Sequence, residues 1–152
     1  MRFIALLFVL VLAEDASAAT LEGAWETRKS EGFSLELLER RNLVCGQLTA
    51  ISGQRVDASW LVGKRDANGA VVHFTSSFSK TKGRGEAEIR LSNGALNWRV
   101  LKQPPADSWI LDEAHVRRTP WSGGRRKILS QWCQMHWQAI DQDATETINL
   151  QP

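Results

Sequence analysis

The sequence predicts a mainly β domain: a small antiparallel up-and-down β-barrel of about eight strands, with a C-terminal α-helix packed on it. Three observations predict this fold. Apolar residues recur at every second position from Leu21 to about Val116, short turn signals separate these runs, and the spacing becomes helical after Pro120. A two-layer β-sandwich is the alternative arrangement of the same strands. Closure into a barrel is favoured because it leaves no unpaired edge strand.

The first 18 residues have the order of parts of a secretory signal peptide. Arg2 supplies a positive charge, residues 3–13 form an apolar run, and Ala16-Ser17-Ala18 supplies small residues for cleavage. The apolar run is shorter than the roughly 20 residues that a membrane-spanning helix needs. We therefore expect export to the periplasm or the medium and no membrane span. Residues 19–152 are expected to form one domain.

Short turns separate the predicted strands. Asn68-Gly69 and Asn93-Gly94 are strong hairpin signals because both positions of such a turn tolerate positive φ. The alternation of apolar and polar residues places three tryptophans, Trp25, Trp60 and Trp98, on the inward faces of their strands. In chain order, the strands are expected at about residues 21–28, 33–37, 43–51, 56–64, 70–78, 86–92, 95–101 and 108–117.

After Gly123-Gly124 the apolar residues recur at the spacing of one helix face. The expected helix covers about residues 125–141 and lies on the barrel, followed by a polar tail at residues 142–152. The members of the apolar stripe are Leu129, Trp132, Cys133, His136, Trp137 and Ile140.

Cys45 falls in the third predicted strand and Cys133 on the helix stripe. Two cysteines in an exported chain favour a disulfide between them, which would attach the helix to the barrel. Two buried free thiols are the alternative. A catalytic thiol is not expected, because Cys45 has no histidine nearby in sequence and no CxxC spacing.

The charge of the chain is nearly balanced, with 19 basic and 17 acidic residues. Removal of the leader, which contains Arg2, Glu14 and Asp15, would leave 18 and 15, a net charge of about +3. An excess this small does not predict nucleic-acid binding. The two denser basic stretches, residues 80–84 and 117–127, are typical of solvated loops beside strand ends.

Sequence motifs for catalysis or metal binding are missing. A zinc site would need paired ligands, as in HxxxH, HExxH or CxxC, whereas His73, His115 and His136 stand apart. GxSxG, SxxK and a phosphate-binding glycine loop are missing too. We therefore expect a non-catalytic protein without a metal or cofactor. His73 and His115 are expected to be exposed, and His136 to be a hydrogen-bonded histidine in the core.

Tryptophan and arginine supply the predicted contact surface. The chain has seven tryptophans and no tyrosine, and two of the tryptophans are not accounted for by strand faces or by the helix stripe. Both lie near arginines, and these two residue types are enriched in binding hot spots. An acidic partner is favoured because guanidinium groups bind carboxylates in a bidentate manner. The predicted surface consists of Trp109, Trp121, Arg117, Arg118, Arg125 and Arg126. The alternative is that both tryptophans pack beneath the helix.

Gly23-Ala24-Trp25 on the first strand of an exported, hairpin-rich chain resembles the Gly-x-Trp opening of the lipocalin and avidin-like (calycin) barrels. The resemblance implies that Trp25 closes one end of the barrel. It also implies that a basic residue near the last strand, Arg117 or Arg118, packs across this tryptophan. A helix tied by a disulfide is similar to the lipocalin arrangement. Biotin binding is not implied, because the tyrosine and polar pattern of the avidins is not recognisable.

These observations favour a non-catalytic exported binding protein that acts on a protein partner in the cell envelope, in an inhibitor or immunity-like role. The alternative is a lipocalin-like carrier that holds a small apolar ligand among Trp60, Phe74 and Trp98. A carrier needs a cavity, whereas large side chains at the inward positions would fill an eight-stranded interior. The protein partner is therefore favoured over the small ligand.

Overall fold

The computed structural model describes residues 19–28, 32–78, 84–105 and 110–149, without the side chains of residues 139–149. The predicted leader, residues 1–18, and Trp109 lie outside the described residues. The elements are β1 (Gly23–Glu26), β2 (Phe33–Arg40), β3 (Leu43–Ser52), β4 (Arg55–Arg65), β5 (Gly69–Phe74), β6 (Gly85–Ser92), β7 (Ala95–Lys102), β8 (Glu113–Thr119) and α1 (Arg125–Asn149).

The eight strands form a closed antiparallel barrel. Each strand pairs with the next in the chain, and β8 pairs with β1, so the up-and-down barrel is confirmed and the sandwich is not formed. The closing pair is short and joins Ala24, Trp25 and Glu26 to residues 117–119.

One of the two predicted Asn-Gly turns has the expected conformation. Asn93 and Gly94 have φ values of 51° and 74° and connect β6 to β7. Asn68-Gly69 joins β4 to β5 as predicted, although Gly69 already belongs to β5. There the Asp66 side chain accepts a hydrogen bond from the backbone N–H of Asn68 at 3.0 Å and so closes a longer connection.

The two ends of the barrel differ in their connections. At the turn end lie the connections β2–β3, β4–β5 and β6–β7, and residues 19–22 lead into β1. At the loop end lie the connections β1–β2, β3–β4, β5–β6 and β7–β8. Because strand direction alternates, each strand runs from one of these ends to the other.

Aromatic side chains fill the interior. Trp25, Trp98, Phe33 and Phe74 are each at most 1% exposed. The ring centre of Trp98 lies 5.4 Å from that of Phe33 and 5.2 Å from that of Phe74, so the three rings are in direct contact. Aliphatic residues of the same cluster occupy the remaining inward positions.

The predicted inward face of β4 is wrong. Asp57, Ser59 and Leu61 point into the barrel and are buried. Trp60 lies on the outer wall instead, where its ring stacks on Trp132 of α1 with 4.1 Å between ring centres. The outer face of β4 is apolar because the helix covers part of it. The alternation of apolar and polar residues along β4 therefore did not distinguish its inward face from its outward face.

The helix packs on the outer wall against β2 and β3. Its first contacts form a second apolar cluster of Leu38, Cys45, Leu129 and Cys133. The predicted disulfide is confirmed: Cys45 and Cys133 are bonded, with 5.7 Å between their Cα atoms.

Three predicted boundaries differ from the structure. The helix continues to Asn149 rather than ending near residue 141, since residues 142–149 contain neither glycine nor proline to stop it. β5 ends at Phe74 rather than near residue 78, because the following serines turn inward to bind Asp57. β8 begins at Glu113, and Ile110 before it is buried at the loop end.

Candidate functional site

Trp25 and Arg118 close the turn end together. The indole Nε1 of Trp25 donates a hydrogen bond to the Leu21 carbonyl at 2.9 Å. The Arg118 guanidinium lies 4.3 Å from the centre of the Trp25 ring and donates to the carbonyls of Glu22 at 2.7 Å and Thr20 at 3.1 Å. The basic residue expected across Trp25 is thus Arg118, and it ties residues 19–22 to the last strand.

Arg125 and Arg126 anchor the start of the helix. The Nε of Arg125 donates to the Glu36 carboxylate at 2.8 Å, and its Nη2 donates to the Gln47 amide oxygen at 2.8 Å. Arg126 pairs with Glu22 at 2.6 Å. Both guanidiniums therefore already bind groups of this chain, which leaves less of their hydrogen-bonding capacity for a partner.

Only one of the two tryptophans of the predicted contact surface lies among the described residues. Trp121 follows β8 at the turn end and packs, partly buried, on the second apolar cluster. Trp109 lies outside the described residues. Arg117 is exposed and lines a shallow groove with Thr27.

The histidines are all exposed. His73 and His115 were expected to be so, and the His115 Nδ1 lies 2.8 Å from the Asn97 Oδ1. The prediction for His136 is wrong, because its ring is exposed and rests on Trp132 with 3.9 Å between ring centres. In the part of the chain that the structure describes, no three residues among His, Cys, Asp and Glu are grouped to hold a metal ion.

Exposed apolar side chains concentrate at the loop end. Of the six large apolar side chains exposed in the described residues, four lie there and are 40 to 49% exposed; the other two, Ile128 and Met135, lie on the helix. Three exposed basic residues of the same rim flank them. We name this set the loop-end patch: Ile51, Val56, Phe78, Leu101, Arg55, Arg84 and Lys102.

A buried carboxylate supports this patch. The fully buried Asp57 accepts hydrogen bonds from the Ser76 hydroxyl at 2.6 Å, and from the Ser77 hydroxyl and backbone N–H at 2.8 and 2.9 Å. The Ser76 hydroxyl in turn accepts a bond from the Phe78 backbone N–H at 3.1 Å. These bonds hold the start of the β5–β6 connection, including the backbone of Phe78, against β4.

The strand pattern of the sequence does not predict this network. Asp57 and Ser59 alternate with apolar residues and therefore look like a solvent face. Their burial depends on partners from the β5–β6 connection, which a strand pattern does not reveal. The one signal was the cluster of hydroxyl residues from Thr75 to Ser77, since serine and threonine commonly bind backbone and carboxylate groups at strand ends.

No helix among the described residues combines the length and the apolar character needed to cross a membrane. In comparisons with known proteins, no family model matches the chain, and no curated protein or solved structure is significantly similar to it. Function therefore has to be inferred from the geometry of the chain's own residues.

Proposed function

We propose that the protein is a non-catalytic exported binding protein that contacts an acidic protein partner of the cell envelope through the loop-end patch. The observation that carries the proposal is the clustering of four exposed apolar side chains beside three basic ones at a single end of the barrel. Contiguous apolar surface with a polar rim is typical of protein interaction sites.

The filled interior argues against the carrier alternative. Of the three residues expected to surround a ligand, Trp60 lies on the outer wall and packs on the helix. The other two, Phe74 and Trp98, are buried against each other. A ligand in the barrel would have to displace aromatic rings from close contact, at a cost of several kcal/mol for each large side chain.

Within the patch, Phe78 is the best candidate for an anchor. It is the aromatic member and is 43% exposed, so a partner pocket can bury much of its ring. The backbone N–H of Phe78 donates to the Ser76 hydroxyl, which is itself bonded to Asp57. Because the backbone of Phe78 is already fixed in this way, less conformational entropy is lost on binding. Arg55, Arg84 and Lys102 lie at the same end of the barrel, and their positive charge favours a partner surface rich in carboxylates.

We also infer that the chain is a calycin-type barrel. The support is the Gly23-Ala24-Trp25 opening together with the Arg118 guanidinium across the Trp25 ring. The disulfide agrees with export, because such bonds persist mainly in oxidising compartments. An inhibitor or immunity-like role fits a small, filled barrel that presents one end to its partner.

A quantitative pull-down from envelope extract of the producing organism tests the proposal. The wild-type chain and two variants, Phe78→Asp and Ile128→Asp, serve as baits; the control residue Ile128 is 63% exposed on the helix, away from the patch. A partner held by the patch should bind the wild type and the Ile128 variant. It should lose about 30-fold or more in affinity for the Phe78 variant.

Binding should also weaken as salt is raised, because the basic rim contributes long-range attraction. All three proteins should melt at similar temperatures, since both substituted residues are exposed. A partner that binds the Phe78 variant as tightly as the wild type would place the contact elsewhere. Finding no partner that distinguishes the two variants would refute the proposal.

A further inference from the structure

Beyond the proposed protein contact, the outward face of α1 exposes two large apolar side chains. Ile128 is 63% exposed and Met135 is 62% exposed, the highest values among the exposed large apolar side chains of the described residues. The two positions are two helical turns apart and therefore lie on one face of the helix. Leu129 and Cys133 lie on the opposite side and are buried against the barrel. We name the exposed set, with the exposed glutamines beside it, the outer helix stripe: Ile128, Gln131, Met135 and Gln138.

The charges of α1 are divided between its two halves. The basic residues are Arg125, Arg126 and Lys127, and the acidic ones are Asp141, Asp143 and Glu146. The first turn contains no acidic residue and the last turn no basic one. The dipole of a helix favours the reverse arrangement, with negative charge at its start and positive charge at its end. The charge pattern of this helix is therefore not explained by the stability of the helix itself.

A second copy of α1, lying antiparallel to the first, complements this charge pattern. The basic first turn of each helix then lies beside the acidic half of the other. Lys127 and Asp143 are equally far from Met135 along the chain, one before it and one after it. With a twofold axis at Met135, these two residues come level across the pair. A parallel pair would instead place like charges side by side.

We propose that the protein forms a twofold symmetric dimer through the outer helix stripe, with the two copies of α1 antiparallel and Met135 at the axis. The exposed apolar side chains are buried at the centre of the contact, and opposite charges lie at both of its ends. One helix from each copy gives a small interface, about 1,200 Å² or less in total. We therefore expect a reversible dimer with a dissociation constant of roughly 1 to 100 µM. The dimer does not depend on the loop-end patch.

Sedimentation equilibrium of the oxidised protein, at concentrations from about 1 to 300 µM, tests the proposal. The wild type should pass from monomer to dimer over this range. Met135→Asp places two like charges opposite each other at the axis and should weaken the dimer about 30-fold or more. Phe78→Asp is the matched control, because it replaces an exposed apolar side chain at the loop end, and it should leave the dimer unchanged.

Charge reversal tests the antiparallel orientation. Lys127→Glu and Asp143→Lys each place like charges across the pair and should weaken the dimer about three- to tenfold. Both changes suit the helix dipole, so weaker dimerisation would not result from a weaker helix. The double variant Lys127→Glu/Asp143→Lys restores opposite charges and should regain most of the wild-type affinity. Added salt should weaken the wild-type dimer.

Circular dichroism should show the wild-type spectrum for every variant. A wild type that stays monomeric over the whole range would overturn the proposal. So would a dimer that Met135→Asp leaves intact or that Phe78→Asp dissociates, and a double variant no better than the single ones would overturn the antiparallel pairing. Below micromolar concentrations the dimer is dissociated, so Ile128→Asp remains a valid control for the loop-end contact in dilute solution. Failure of either proposal thus leaves the test of the other intact.

Discussion

Removal of the disulfide should cost the protein a large part of its stability. The bond joins residues 88 positions apart, so without it the unfolded chain gains the entropy of a long open loop. For a loop of this length the chain-entropy model gives about 4.5 kcal/mol at 25 °C. Domains of this size have a free energy of unfolding of about 5 to 15 kcal/mol. The double variant Cys45→Ala/Cys133→Ala would therefore keep only part of the free energy of unfolding of the wild type.

The expected change in melting temperature follows from this value. A loss of 1 kcal/mol lowers the melting temperature of a domain this size by about 3 to 4 °C, so the double variant should melt about 13 to 18 °C lower. Both cysteines are fully buried among Leu38 and Leu129, and loss of their sulfur atoms adds a small cavity cost.

Urea denaturation followed by far-ultraviolet circular dichroism measures the change. The wild type under reducing conditions is the matched control, because it loses the cross-link but keeps both sulfur atoms. The reduced protein and the double variant should agree to within about 1 kcal/mol. A double variant with the denaturation midpoint of the oxidised wild type would show that the helix needs no cross-link, and the entropic argument would then be refuted.

Three further outcomes are expected. Arg118→Ala should lower the free energy of unfolding by about 1 to 2 kcal/mol, because it removes the contact with Trp25 and two hydrogen bonds to carbonyls; Arg117→Ala, measured in the same urea titrations, should change it by less than about 0.5 kcal/mol. Hydrogen bonds from Arg99 hold the pKa of Glu88 below its ordinary value of 4.5, and those from Arg90 hold the pKa of Asp66 below 3.8. The stability that these carboxylates contribute is therefore present above their ordinary pKa values and is lost as the pH falls through their lowered pKa values. In acid titrations, Glu88→Gln should therefore lose less free energy of unfolding below about pH 4.5 than the wild type does. A Cβ at Gly63 would meet the carbonyl oxygen of Val71 and lie 2.7 Å from the Cα of Val72. Thermal melts should therefore show that Gly63→Ala destabilises the protein by about 2 to 3 kcal/mol. The control, Gly123→Ala, should be nearly neutral because there is open space around Gly123.

The strand order of the barrel could be predicted because each hairpin is local. At Asn93-Gly94 the turn chemistry and the flanking alternation agree, and the structure has the same turn. The inward face of β4 could not be predicted in this way. Period-two alternation defines two faces, but a helix from the far end of the chain covers the outer one, and Trp60 is partly buried there by Trp132.

The candidate site was less accessible to prediction for a related reason. Arginine next to tryptophan indicates a contact surface only if the guanidinium is free, and Arg118, Arg125 and Arg126 bind groups that are distant in sequence. The loop-end patch contains no motif. Its members lie in or beside three separate connections, and only the closed barrel shows that they share one rim.

The closing seam between β1 and β8 has a consequence for the order of folding. Every other strand pair joins neighbours in the chain, and β3–β4 contains ten paired positions, whereas the seam has three. The local hairpins can form early, but the seam must wait until both ends of the domain meet. The disulfide and the Arg118 contact with Trp25 also join distant segments. A newly made chain would therefore pass through an open, curved sheet, which becomes a barrel only when its first and last strands pair.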